Sequence, residues 1–317
     1  MLDTVYILNI PNFYSSYYLY GFDKVFHIKF KFDTTFTKYN NKPILIFRIK
    51  DKLGVINNDD PVYFDQELYQ LSDMYFVTNK LIDNEFFNQP KVKPLFPHYP
   101  INILPLYLKL FNISLVKFLK FKDLAKQVYT LIRRPTYENY KFKAEKENYI
   151  FFSASIWKKE PETNRIRAEF IRYCKADDRL VFEGGFVPRN DGNHFDFKEE
   201  LNEIKYPPKT FSKLSRRSKI VLNNAAVWGA VSWRLAEYLN QSLFVLSFPF
   251  KIEFPIPLKH NKEIHLINKT SEFPEVFDKV LHNKDYHKYI AENGKSYFSK
   301  YCTPEAQVEY IVRTIID

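Results

Sequence analysis

A chain of 317 residues with 45% hydrophobic and 26% charged residues has apolar material for two domains of ordinary size, and its composition is not that of a disordered protein. Seven glycines, with no G-x-G-x-x-G and no G-x-x-x-x-G-K-[ST], exclude a glycine-rich phosphate loop; two cysteines without a C-x-x-C exclude a disulfide scaffold and a zinc ribbon. A net charge of +10 calls for an anionic partner, and because no nucleic-acid motif accompanies it the expectation is no nucleic acid.

The start, MLDTVYILNI, lacks the basic opening and small-residue cleavage site of a signal peptide. No uncharged apolar run approaches the ~18 residues that span a bilayer. The expected location is cytoplasmic, at most peripheral at the inner membrane face.

Along the first hundred residues, Val5–Ile10, Lys24–Phe32 and Pro43–Ile49 read as strands. Leu68–Ile82 combines a helical start with the apolar run Met74–Val77, and Pro94–Pro105 reads as a loop with a short strand. Residues 107–146 hold ten Lys/Arg against three acids, a net of 10 − 3 = +7. Within them Ser114–Arg134 has helical periodicity, with Leu115, Phe118, Leu119, Leu124, Val128, Leu131 and Ile132 on one face. Lys117, Lys120 and Lys126 fall mostly elsewhere on the wheel. This helix admits two readings: a core helix with a solvated basic back, or attachment to anionic lipid. Arg134–Asn148 reads as an interdomain linker, so the expected division is residues 1–140, 141–302 and a closing helix over 303–317.

After Asn148 strands alternate with helices. Tyr149–Ser153, Arg179–Phe182, Lys219–Leu222, Leu243–Phe248 and Glu263–Ile267 read as strands; Arg165–Cys174, Thr210–Arg217, Val231–Asn240 and parts of Pro274–Ser299 read as helices. This alternation predicts a parallel sheet of βαβ units. Thr303-Pro304-Glu305 has a capping hydroxyl, a proline at the first helical position and an acid near the positive dipole end, which predicts a last helix running to the C-terminus.

In an open α/β sheet, ligands sit beyond the carboxyl ends of the strands. Three loops are expected there. Ser153–Lys159 offers small residues (Ser153, Ser155) and the cation Lys158. Glu183–Arg189 offers a tight turn at Gly184-Gly185. Asn223–Trp233 leads into the helix carrying Trp233, Arg234 and Glu237. Arg234 and Glu237 adjoin on a helix surface. They read either as an exposed ion pair or as a guanidinium for a phosphate and a carboxylate for the two hydroxyls of a ribose.

The stretch SWRLAEYLNQSLFVLSFPFKIEFPIPLKHNKEIHLI, residues 232–267, resembles the donor-binding segment of GT-B glycosyltransferases, in particular the exostosin-like bacterial enzymes that build surface polysaccharides. Trp233, Arg234, Glu237, Leu239, Val245 and Leu246 match in register. The tail SYFSKYCTPEAQVEYIV, residues 296–312, is similar to the way these enzymes end. The resemblance covers residues 149–317. It implies an α/β protein of two Rossmann-like domains facing each other across a cleft, with the C-terminal helix crossing back to the first. It also implies a nucleotide-sugar donor, a glycan or lipid-linked acceptor, Glu237 on the ribose and Arg234 at the diphosphate. The family glycine after the helix is Ser242 here, and the first acid of the E-x7-E pair of one retaining group falls at Gly229, which favours an inverting enzyme.

No D-x-D triplet occurs, so metal-independent transfer is expected and no cofactor. Inversion needs a base on the acceptor hydroxyl. The candidates are Asp59 and Asp60 in INNDDPVYF, Asp51, and His98 in LFPHYP; the Asp59-Asp60 pair reads equally as a turn. A noncatalytic binding or scaffolding protein and a sugar-nucleotide epimerase are the alternative functions.

Overall fold

The computed structural model describes residues 3–59, 63–144 and 147–317. The chain forms two compact units. The first holds residues 1–138, 252–256 and 300–317; the second holds residues 139–251 and 257–299.

The first unit contains β1 (Thr4–Ile7), α1 (Ser16–Val25), β2 (His27–Phe30), β3 (Ile44–Ile49), β4 (Lys52–Asn57), α2 (Gln66–Leu71), β5 (Met74–Val77), β6 (Val92–Pro94), α3 (Leu104–Phe111), α4 (Ser114–Phe118) and α5 (Phe121–Arg133). Its six-stranded sheet has the order β2-β1-β3-β4-β5-β6. The sheet is mixed, because β3 runs antiparallel to both neighbours while the other pairs are parallel. The hairpin that reverses β3 turns at Lys50, whose φ of 52° supplies the left-handed residue of a tight turn.

Two expectations are corrected here. The segment Lys24–Phe32 is not one strand: α1 runs through Val25, and only His27–Phe30 pairs as a strand. The helix over 114–134 is broken, because Leu119 and Lys120 are extended (ψ 144° and 145°) and separate α4 from α5.

The second unit contains β7 (Tyr149–Ser155), α6 (Pro161–Ala176), β8 (Val181–Val187), α7 (Pro208–Ser215), β9 (Ile220–Asn223), α8 (Trp233–Asn240), β10 (Phe244–Ser247), β11 (His265–Leu266), α9 (Phe273–His282) and α10 (Lys284–Tyr297). Every strand pair is parallel: β7 with β8, β9 with β10, and β10 with β11. Strand β9 lies against β7, where Tyr149 O accepts from Lys219 N at 2.7 Å and Phe151 N donates to Ser218 Oγ at 2.9 Å. The two ladders, β7-β8 and β9-β10-β11, thus stand edge to edge in the spatial order β8-β7-β9-β10-β11. Residues of β7, β9 and β10 are buried almost throughout, as continuous apolar strands in a parallel sheet covered on both faces must be. Phe170 and Phe277 from the helices pack with Phe152, Leu222, Phe244 and Leu246 in one core. Ser242 takes φ 57°, the conformation that the glycine of the resembled pattern would supply, and its hydroxyl donates to Ala291 O at 3.1 Å.

The last helix, α11 (Pro304–Ile316), belongs to the first unit and packs on α1. Thr303 caps it, its Oγ1 accepting from Ala306 N at 3.1 Å, as the sequence predicted. Gly21 permits the close approach: a Cβ there would stand 2.2 Å from Pro304 O. The buried hydroxyl of Tyr17 donates to Cys302 O at 2.6 Å, and Gln307 Nε2 donates to Pro97 O at 3.0 Å.

Candidate functional site

The strand order β8-β7-β9-β10-β11 reverses direction between β7 and β9, so their carboxyl ends border the crevice where ligands of open α/β sheets settle. The geometry there starts with Asn164 on α6. Its side chain donates to Trp157 O at 2.7 Å and accepts from Trp157 N at 2.9 Å, which pins the loop after β7 to the first turns of α6. The loop after β9 is tied to the same helix. Thr163 Oγ1 donates to Ala225 O, Asn224 Nδ2 donates to Thr163 O, and Trp228 N donates to Glu160 Oε1 at 2.7 Å. Trp228 is held in the left-handed region, at φ 51°.

Between these loops lies Arg167, on the second turn of α6 and 5% exposed. Its Nε donates to Asn224 Oδ1 at 3.2 Å and its Nη1 to Ser155 O at 3.1 Å, so one guanidinium bridges the ends of β9 and β7. Both acceptors are neutral. Burial, and next to it the positive charge of Arg234, push the Arg167 guanidinium down to about 9. Arg234 rises from the first turn of α8, where Ser232 caps the helix by accepting from Arg234 N. Its guanidinium lies 4.8 Å from the ring centre of Phe211 and 5.6 Å from that of Phe152. Among the described residues neither Arg167 nor Arg234 forms an ion pair with a carboxylate. The Glu160 carboxylate acts on Arg167 only as a lesser, longer-range charge that opposes the downward shift. Tyr238, buried on α8, is held up at about 12, mainly by its burial; the Arg234 and Arg167 charges oppose that shift and Glu237 adds to it. This arrangement can hold an anion with at least two oxygens. Guanidinium groups donate in pairs, and the positive end of the α8 dipole lies on the same side.

A second opening, of about 450 Å³, lies at the ends of β7 and β8, among Ser155, Trp157, Pro188 and Arg189. Its one carboxylate, Asp191, is shared by two cations. Asp191 accepts from Arg189 at 2.6 Å and pairs with Lys158 at 2.9 Å, and Arg189 Nη1 also donates to Ile156 O. Arg189, then Lys158, holds the Asp191 carboxyl well below the usual carboxylate range.

The structure gathers some of the sequence candidates and separates others. Ser155, Trp233, Arg234 and Glu237 belong to the loops and helix around the switch point. Ser155 takes part through its carbonyl oxygen, while Ser153 is buried inside β7, in register with Gly185. Lys158 is engaged with Asp191 rather than free for a phosphate. Gly184 and Gly185 are not in a loop: β8 continues to Val187, and the loop begins at Pro188. Their φ values are 120° and 139°, and a Cβ would stand 2.1 Å from Phe152 O at Gly184 and 2.5 Å from Glu200 O at Gly185, so close strand packing requires them.

In the first unit, Asp59 sits in a turn, its N–H donating to Asn57 Oδ1 at 2.9 Å, and Asp60 lies outside the described residues. Asp51 is an exposed residue of the β3–β4 turn. His98 is 6% exposed among Tyr17 and Tyr18, and burial pushes it down to about 3. A ring so enclosed and so weakly basic does not meet the requirements of a base for an acceptor hydroxyl. The sequence reading missed Arg167, Asn164 and Asn224. Arg167 had a signal, because it shares a face with Phe170, Ile171 and Cys174, all buried. Among the described residues no group of three or more His, Cys, Asp or Glu is placed to hold a metal ion, and no helix is long and apolar enough to cross a membrane.

Fold and site together define an α/β protein whose parallel unit presents two neighbouring guanidinium groups, neither in an ion pair among the described residues, at its switch point. No protein-family model and no curated protein matches the chain. Solved structures that align with it include a glycosyltransferase from Rickettsia africae, at 9% identity over 92% of this chain and 70% of that one, with a TM-score of 0.47. Anabaena Alr3699/HepE in complex with UDP-glucose aligns at 9% identity over 80% of this chain and 70% of that one, with a TM-score of 0.44. The C-terminal domain of a glycosyl transferase group 1 family protein, LpcC from Francisella tularensis, aligns at 15% identity over 50% of this chain and 87% of that one, with a TM-score of 0.35. Likeness at these values fixes neither substrate nor chemistry, and the site has to be read from its own geometry.

Proposed function

We propose that the second unit binds a nucleotide sugar through its diphosphate, and that the protein is a glycosyltransferase passing the sugar to a glycan or lipid-linked acceptor of a surface polysaccharide. The observation that carries this reading is Arg167, a buried cation whose hydrogen-bond acceptors are both neutral, beside Arg234 at the switch point. A buried charge without a counter-ion is costly. A diphosphate seated between the two guanidinium groups supplies the missing charge and oxygens for their free N–H groups. Glu237, one turn beyond Arg234 on α8, is assigned to the ribose hydroxyls.

In glycosyl transfer the bond from the sugar's anomeric carbon to the diphosphate oxygen breaks, and the diphosphate leaves with the electron pair. A new bond forms from the acceptor oxygen to that carbon as the acceptor's proton departs. Negative charge therefore grows on the leaving diphosphate, where Arg167 and Arg234 would neutralise it without a metal.

Calorimetry with UDP, GDP and the matching nucleosides tests the binding, and release of free sugar from a panel of nucleotide sugars tests the transfer. The parent protein is expected to take one diphosphate, and Arg234→Ala to weaken the diphosphate at least tenfold more than the nucleoside. Equal losses for the two ligands would remove Arg234 from the diphosphate site.

A further inference from the structure

The break between α4 and α5 leaves large apolar side chains in solvent. Phe121 is 86% exposed, Ile113 74%, Val116 70% and Tyr129 61%. On α5 the exposed residues Phe121, Ala125, Tyr129 and Ile132 follow spacings of four, four and three, one continuous stripe along the helix. The opposite face serves the unit's interior: Leu131 is fully buried, and Gln127 accepts from Phe13 N at 3.1 Å. Helix α5 therefore has two apolar faces, of which its own unit uses one.

The charge around the exposed stripe is of one sign. Lys122, Lys126 and Arg133 run beside it, each one residue after a stripe position, and Lys117 and Lys120 flank Val116 and Phe121. Asp123 is the single acid of α4 and α5 and of the residues joining them. A protein partner with an apolar patch would not need this surround, and a second copy of the same face would meet cation with cation. An anionic bilayer matches both features, with acyl chains for the stripe and headgroup phosphates for the lysines.

We propose that α4 and α5 dock the protein on an anionic lipid surface, with Ile113, Val116 and Phe121 entering the headgroup boundary and Lys117, Lys122 and Lys126 contacting lipid phosphates. The inference is independent of the nucleotide site, since every residue it uses belongs to the first unit.

The test is sedimentation of the full chain with vesicles of phosphatidylcholine alone and with added phosphatidylglycerol. Binding to the anionic vesicles only is expected, weakened by raised salt because exposed charges are screened beyond ~8–10 Å at physiological ionic strength. Each lysine changed to Gln should lower the partition about fivefold. Phe121→Ser with Val116→Ser should lower it tenfold or more with the thermal transition unchanged, since both positions are exposed. Phe121→Cys carrying an environment-sensitive dye gives a second readout, and the native Cys174 and Cys302 are buried away from the label. A blue shift with anionic vesicles is expected. Equal sedimentation with neutral and anionic vesicles, an unshifted dye, or a dimer abolished by Phe121→Ser without lipid binding would each overturn the proposal.

Discussion

Replacing Arg167 with Met separates a ligand-binding cation from a structural one. A guanidinium pushed down from its ordinary range to about 9 carries a penalty on the order of 4–5 kcal/mol in its charged form. The sign follows from linkage. The folded-state value is depressed, so the unfolded chain holds the proton more tightly, the penalty is complete at neutral pH, and it fades only as pH rises through about 9. Methionine is close in length and removes that penalty. It also removes the hydrogen bonds to Asn224 Oδ1 and Ser155 O, at a cost of about 1–3 kcal/mol each. The opposing terms are similar in size, so the variant's unfolding free energy should lie within about 2 kcal/mol of the parent's, measured by urea denaturation without ligand. Nucleoside diphosphate affinity should nevertheless fall by about tenfold to a hundredfold, the equivalent of one charge-assisted hydrogen bond. A diphosphate should also raise the thermal transition of the parent more than that of the variant. Strong destabilisation with unchanged affinity would refute the reasoning and make Arg167 a strut between β7 and β9.

Three further outcomes are expected. Glu237→Gln should weaken nucleotide binding about tenfold in calorimetry with the thermal transition preserved; an unchanged affinity would remove Glu237 from the ribose. Gly21→Ala should lower unfolding stability by about 3 kcal/mol or more in urea, because its Cβ would meet Pro304 O at 2.2 Å, and an unshifted midpoint would mean that α1 and α11 do not pack this closely. His287 donates to Lys219 O at 2.8 Å, and burial pushes it down to about 4. Its contribution is full above pH 6.5 and is lost as pH falls from there toward 4, about 2 kcal/mol by pH 5. His287→Gln should flatten the urea midpoint against pH over that window, and a slope equal to the parent's would contradict the assignment.

The parallel unit was legible because its signals are local. Five apolar runs with helical stretches between them could only be βαβ units, and Thr303-Pro304 marked the last helix to the residue. The first unit was harder, for physical reasons. Strands β3 and β4 are joined by a two-residue turn at Lys50-Asp51, which carries none of the Asn-Gly chemistry that announces a hairpin. Helix α1 begins at Ser16 in a run of tyrosines that reads as strand by propensity, and Tyr17 and Tyr18 become helical because their rings are buried in the unit's interior. The single helix expected over 114–134 fails at Leu119-Lys120, where no proline or glycine marks the break.

At the site the sequence gives residue types but not their partners, and partners decide the chemistry. Lys158 looked like a phosphate ligand, yet Asp191 pairs with it and with Arg189. Arg167 is one of several basic residues on α6, yet it is the one the fold buries with only neutral hydrogen-bond acceptors. The clue was its place on the stripe of Phe170, Ile171 and Cys174. A charged side chain on a core face calls for a buried acid or a ligand as partner. Among the described residues no carboxylate forms an ion pair with it, and Glu160 acts on it only as a lesser, longer-range charge, which favours a ligand. Ile132 shows the converse case. It reads as core in the sequence, but the core is already served by the opposite face of α5 and Ile132 lies with Phe121 on the exposed stripe, so the residues left outside point to a second apolar medium.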